Sequence, residues 1–195
     1  MAVLPMFLLV LALSNNISPL IASEVTEIDL LVNGIEENHS VYQRHFSGTL
    51  PPVQGPGIRS WEVTLYEETI SEIVDEILFM DEKILQIDCI YYHSDFQIMS
   101  TYYYNLADEV VLCSSTWSYR SDGIPLYSDK FYYSGSKVIA YSSDDGSLTP
   151  PSAADIEKGN SRLRYADHII ESVVSCSAGS PPIFIEQIEY IYENF

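Results

Sequence analysis

Ten of the fifteen tyrosines fall between Tyr91 and Tyr141, inside a block, residues 84–143, where short β-prone runs alternate with turn residues. Aromatic and β-branched side chains fit a pleated, half-buried surface. Runs of that kind at regular spacing, separated by turn signals, describe consecutive hairpins. The spacing predicts strands at 84–92, 97–104, 109–117, 128–134 and 137–143. Gly135-Ser136 between the last two is a two-residue hairpin signal with glycine first. Upstream, 59–67 alternates Trp61, Val63 and Leu65 with Glu62, Thr64 and Tyr66, which reads as a further strand.

Two segments have helical spacing. Ile28, Leu31, Val32 and Ile35 follow a Thr that can cap a helix over 26–33, closed by Gly34. Leu163, Ala166, Ile170 and Val173 share a face over 161–175. Residues 69–80 fit a helix face, although their Ile and Val content would also extend a sheet; the helix is the expectation. Residues 39–57, rich in Pro and Gly, read as a loop. Periodicity does not decide between strand and helix for 183–195. The expected fold is therefore α+β: an antiparallel β-meander of about five to six strands, with two or three helices packed on one face.

The first 23 residues carry no charge, and 1–13 is an apolar run of signal-peptide length. It is too short to span a membrane, which takes about 20 residues. Ala12-Leu13-Ser14 and Leu20-Ile21-Ala22 both offer small residues to a signal peptidase, and the later site is preferred. The alternative is a buried N-terminal element. The expected organisation is a signal peptide over 1–22 and one domain over 23–195, its sheet core at about 84–143. The expected location is extracytoplasmic, secreted or periplasmic. Asn38-His39-Ser40 and Asn16-Ile17-Ser18 are glycosylation sequons.

Charge narrows the partners. Nine Lys plus Arg stand against 28 Asp plus Glu, a net charge of −19. A nucleic-acid binder needs clustered cations to displace phosphate counterions, and here they are scattered. No other apolar stretch is long enough to span a membrane, so an integral membrane protein is not expected. The acidity would attract a basic protein partner or divalent cations, or it serves only to keep the protein soluble and monomeric; the expected partner is a protein.

Register fixes faces. If Tyr92 pairs with Gln97, Cys89 faces Ser100. If Tyr104 pairs with Glu109, Ser100 faces Cys113. The thiols then share a face two strands apart, roughly 9–10 Å between Cα atoms. That exceeds the reach of a disulfide, about 7 Å, so no disulfide is expected. The same register places Leu85, Ile87, Cys89, Ile98, Tyr102, Val111, Cys113, Trp117, Phe131, Tyr133, Val138 and Ala140 on a core face. Tyr92, Tyr103, Tyr132 and Tyr141 fall on the other. Exposed tyrosines give contact area at small entropy cost, so these four are the candidate binding residues.

The units Tyr102-Tyr103-Tyr104-Asn105-Leu106-Ala107-Asp108-Glu109-Val110-Val111 and Lys130-Phe131-Tyr132-Tyr133-Ser134-Gly135-Ser136-Lys137-Val138-Ile139 resemble the "Tyr-Tyr-Phe, two residues, Gly-Lys" hairpin repeats of uncharacterised exported bacterial β-meander proteins. The resemblance covers about residues 61–146. The first unit departs from it, with Asp108-Glu109 in place of Gly-Lys. It implies an exported β-meander and carries over no functional residue.

No catalytic constellation emerges. His39, His45, His93 and His168 are dispersed, without the i, i+4 spacing of helical zinc motifs. No nucleophile elbow, P-loop or dinucleotide fingerprint is present. His93-Ser94-Asp95 reads as a hairpin turn, and Asp144-Asp145-Gly146-Ser147 as a turn lacking the spaced ligands of a calcium loop. The expectation is a non-enzymatic binding protein without a cofactor or metal. Its alternative is a small-ligand or glycan-binding module using the tyrosine face; a small hydrolase stands third.

Overall fold

A computed structural model of the chain describes residues 17–38, 41–49, 58–74 and 77–177. The leader over 1–16 and the segment 183–195 lie outside the described residues. Helix α1 (Pro19–Glu36) precedes eight strands: β1 (Tyr42–Thr49), β2 (Ile58–Val74), β3 (Ile77–His93), β4 (Phe96–Tyr104), β5 (Val110–Tyr119), β6 (Pro125–Ser134), β7 (Lys137–Ser143) and β8 (Leu148–Thr149). Helix α2 (Ala153–Ser177) follows. The strands form one antiparallel sheet in chain order, β1 through β8, so every neighbour is joined by a hairpin.

The α+β meander stands, with corrections. The sheet has eight strands instead of five or six. Part of the expected loop, Tyr42–Thr49, is an edge strand. Residues 69–74 and 77–80 form no helix: β2 and β3 pair there to Val74↔Ile77, consistent with the β-branched content of that stretch. Both helices are also longer than the periodicity indicated.

The helices lie on opposite faces of the sheet. Against α2 pack Val63, Leu65, Ile87, Cys89, Ile98, Tyr102, Cys113, Phe131, Tyr133 and Val138, with Tyr165, Ala166 and Ile169 from the helix. Against α1 pack Tyr103, Leu112, Tyr132, Ile139 and Ala140, with Val25, Ile28 and Val32 from the helix. One-sided packing fails because the second face carries its own apolar patch. At Gly159 the α2 backbone sits directly on the sheet. An added Cβ would fall 2.5 Å from Val138 Cγ2, and Tyr133 donates its hydroxyl to the Gly159 carbonyl at 3.0 Å.

The register agrees with expectation at Tyr92↔Gln97 and Cys89↔Ser100. It departs beyond. A bulge between Tyr103 and Tyr104 places Tyr104 opposite Val110, so Ser100 faces Ser115 and Cys113 faces Tyr102. A second bulge, between Tyr132 and Tyr133, moves Ala140 to the α1 side. Val111 likewise packs with the α1-side cluster. The turn at Gly135-Ser136 links Ser134↔Lys137, with Gly135 at φ 56°, where glycine carries no Cβ penalty. Among the described residues no helix is long and apolar enough to cross a membrane.

Candidate functional site

The four candidate tyrosines do not form one open surface. Tyr103 and Tyr132 are buried beneath α1, 6% and 5% exposed. Their hydroxyls donate to Glu36 at 2.7 Å and Asp29 at 3.2 Å. Those bonds fasten the helix to the sheet. Tyr141 lies on the α2 side, its ring 5.1 Å from that of Phe131 and its hydroxyl 3.0 Å from that of Tyr127. Tyr92 remains half-buried, with the Arg120 guanidinium 5.4 Å from its ring centre. A sequence holds no direct signal that a tyrosine face is roofed by a helix from elsewhere in the chain.

Among the described residues α1 covers one row of cross-strand neighbours together with Val111, Ile139 and Leu148. The row beneath it runs Tyr66, Gln86, Tyr103, Leu112, Tyr132 and Ala140 across β2 to β7. The next row on the same face is polar throughout: His45↔Thr64↔Asp88↔Thr101↔Ser114↔Lys130↔Ser142, one residue from each of seven strands. The row beyond holds Glu62, Ile90, Met99, Thr116 and Ser128. Asp88 is the hub of the polar row. It accepts from Thr101 at 2.8 Å and Gln86 at 3.0 Å. Tyr66 also faces it, and burial followed by the Asp88 charge pushes the Tyr66 hydroxyl up to about 12. His45 Nδ1 lies 3.1 Å from the Thr64 hydroxyl. At the β5–β7 end the rows border a cleft of about 250 Å³, lined by Ser114, Thr116, Ser128, Lys130 and Asp144.

A second unusual feature is a two-stranded ribbon. β1 pairs with β2 only up to Glu67, and β4 with β3 only from Gln86. From Glu68↔Lys83 to Val74↔Ile77, seven residue pairs of β2 and β3 continue without a third strand among the described residues. At about 3.3 Å per residue they extend the hairpin by roughly 23 Å. Residues 68–83 hold six acids (Glu68, Glu72, Asp75, Glu76, Asp81, Glu82) and one lysine. Two side chains close off the ribbon's base. Asn38 donates to Glu68 at 3.3 Å, and Lys83 binds Asp108 at 2.7 Å.

Elsewhere, polar groups serve packing. The Asp129 carboxylate is fully buried on β6, 2.8 Å from Lys158 Nζ and 3.6 Å from Arg162 on α2. The Lys158 ammonium also sits 4.7 Å from the centre of the Tyr127 ring. Cys89 and Cys113 are buried thiols on the α2 side with β4 between their strands. Burial raises both, Cys113 to about 12, which suppresses thiolate. At the β3–β4 turn, Ser94 donates to Asp95 at 3.0 Å while the Asp95 amide donates to His93 Nδ1 at 3.3 Å. A triad needs the carboxylate to orient the imidazole; here the backbone amide occupies that nitrogen, and the three residues close a turn. The described residues hold no group of three His, Cys, Asp or Glu able to hold a metal.

No protein-family model, curated protein or solved structure matches this chain.

Proposed function

We propose that the protein is an extracytoplasmic, non-enzymatic interaction protein that holds a basic protein partner on the β2–β3 ribbon. The observation that carries the reading is the ribbon itself. An isolated two-stranded hairpin is marginally stable in water and gains stability from a third strand or a covering surface. Beyond Glu68 and Lys83 the ribbon edges present backbone groups that a partner strand can pair with. Strand addition supplies affinity through main-chain hydrogen bonds. Six acids over this stretch select for Lys or Arg on the incoming segment and repel a second copy of a chain whose net charge is −19.

Export fits the apolar leader. Ser18 caps α1, its side chain accepting from the Ile21 amide at 3.3 Å, and Pro19 opens the helix. Ile17 and Ile21 pack against the α1 cluster. Processing after Ser14 would keep all of these; processing after Ala22 would remove them. The reading therefore takes Ser14 as the cleavage site.

The test compares the intact mature chain with a variant in which an Asn-Gly turn joins Glu68 directly to Lys83. Both serve as bait in the source's extracytoplasmic fraction. The reading expects a basic protein on the intact bait, shed between 0.05 and 0.5 M salt as the Debye length falls from about 14 Å to about 4 Å, and absent from the shortened bait. Identical proteins on both baits would overturn it.

A further inference from the structure

The geometry points to a binding site for a linear neutral glycan on the sheet face that the described residues leave open, laid across the strands along the row from His45 to Lys130. Six side chains, each capable of hydrogen bonding and none of them buried, stand in register on six successive strands, while Ser142, next in line on β7, is buried. Strand spacing sets their repeat at about 4.8 Å, so the row spans roughly 24 Å. A β-linked pyranose chain advances by about one such spacing per ring, so successive sugars meet successive strands.

Three properties of the row select this ligand. The first is donor and acceptor supply. Threonine and serine hydroxyls both donate and accept, as sugar hydroxyls do, and they can exchange bound water for sugar hydroxyls at little enthalpic cost. The second is local charge. In a chain of net −19 the row holds one carboxylate, Asp88, and one ammonium, Lys130. A polyanion is repelled by the molecule as a whole, and a basic peptide finds denser acid on the ribbon. The third is shape. A peptide strand gains most by pairing along an edge, whereas this is a face, with a cleft at its β5–β7 end lined by Ser114, Thr116 and Lys130. Its apolar residues are the adjacent pair Ile90↔Met99, Met99 being 44% exposed. That pair offers a flat patch beside the row for the C–H face of a sugar ring.

This site differs from a tyrosine platform, since Tyr103 and Tyr132 are roofed by α1. It is also independent of the ribbon, because its central residues lie where β1 to β7 are all paired.

The experiment is affinity electrophoresis of the full mature chain through gels holding hydroxyethylcellulose, laminarin or, as an anionic control, polygalacturonate. The expected result is retardation by a neutral β-glucan, unchanged by 0.5 M salt, and none by polygalacturonate. The double variant Ser114→Val/Thr116→Val keeps β-branched residues on the strands, so its near-ultraviolet circular dichroism should match the parent. It should weaken binding by roughly tenfold, the loss of two hydrogen-bonding hydroxyls. The exchange Ser114→Thr/Thr116→Ser should retain binding, and so should the ribbon-shortened chain. No retardation of the intact chain in either glucan would overturn the proposal and would also be the outcome if another part of the chain or a second copy occupies the face. Equal retardation of the valine variant would overturn it too.

Discussion

Asp129 is the residue whose loss should cost most. Its carboxylate has no solvent exposure, and two α2 cations a helical turn apart converge on it. Deleting one member of a buried pair leaves an uncompensated charge, worth about 3–5 kcal/mol. Arg162, 4% exposed, would be that charge. Asp129→Ala should lower unfolding free energy by about that amount in urea melts, and Asp129→Ala/Arg162→Met should recover part of it. A cost below about 1 kcal/mol would show that the pair does not anchor α2. The tyrosines give a second residue-scale expectation. Burial raises Tyr91, Tyr102, Tyr103, Tyr133 and Tyr165 above their ordinary range, and burial with Asp29 lifts Tyr132 to about 12. The unfolded chain, with tyrosines near 10, releases these protons first. Stability is therefore complete below about pH 10 and falls as pH rises through the folded-state values. Tyrosinate absorbance should rise in step with loss of near-ultraviolet circular dichroism; a smooth rise with the fold intact would contradict the burial.

At the scale of elements, α1 joins processing to stability. A chain beginning at Ser23 lacks the Ser18 cap, Pro19 and the packed Ile17 and Ile21. A cap is worth about 1 kcal/mol, and partial burial of two isoleucines adds roughly as much again. The chain from Asn15 should melt roughly 4–8 °C above the chain from Ser23, and N-terminal sequencing of the exported protein should begin at Asn15. Equal melting temperatures would remove the structural argument for the earlier site. The same helix explains what the sequence concealed. Hairpin positions were legible because Gly135-Ser136 and His93–Phe96 carry turn chemistry of their own. The single-residue bulges at Tyr103/Tyr104 and Tyr132/Tyr133 carry no such mark; the first sets Ser100 opposite Ser115 instead of Cys113, and the second moves Ala140 to the α1 side. Tyr103 and Tyr132 read as surface because their hydroxyls are polar. The acceptors that make them buriable, Glu36 and Asp29, lie 67 and 103 residues away. Residues 69–80 satisfied both periods, and only continuous pairing with the partner strand resolves them. The polar row was partly legible: Asp88, Thr101, Ser114 and Lys130 fell on the correct face, but their alignment across seven strands needed the bulges.

At the scale of the whole molecule, the sheet divides its work. Its α2 face is core. Among the described residues, its α1 face is half roof and half open polar surface. Its β2–β3 hairpin runs past both neighbours into an acidic ribbon. The central claim is that this ribbon is vacant until a partner arrives. Amide hydrogen exchange on the free mature chain tests it most directly, since exchange reports local opening free energies. Ribbon amides over 69–74 and 77–82 should exchange within seconds, while those of 86–92, paired on both sides, should be protected to near the global stability. Protection of the ribbon equal to that of 86–92 would mean that the chain already covers it, and would contradict the account.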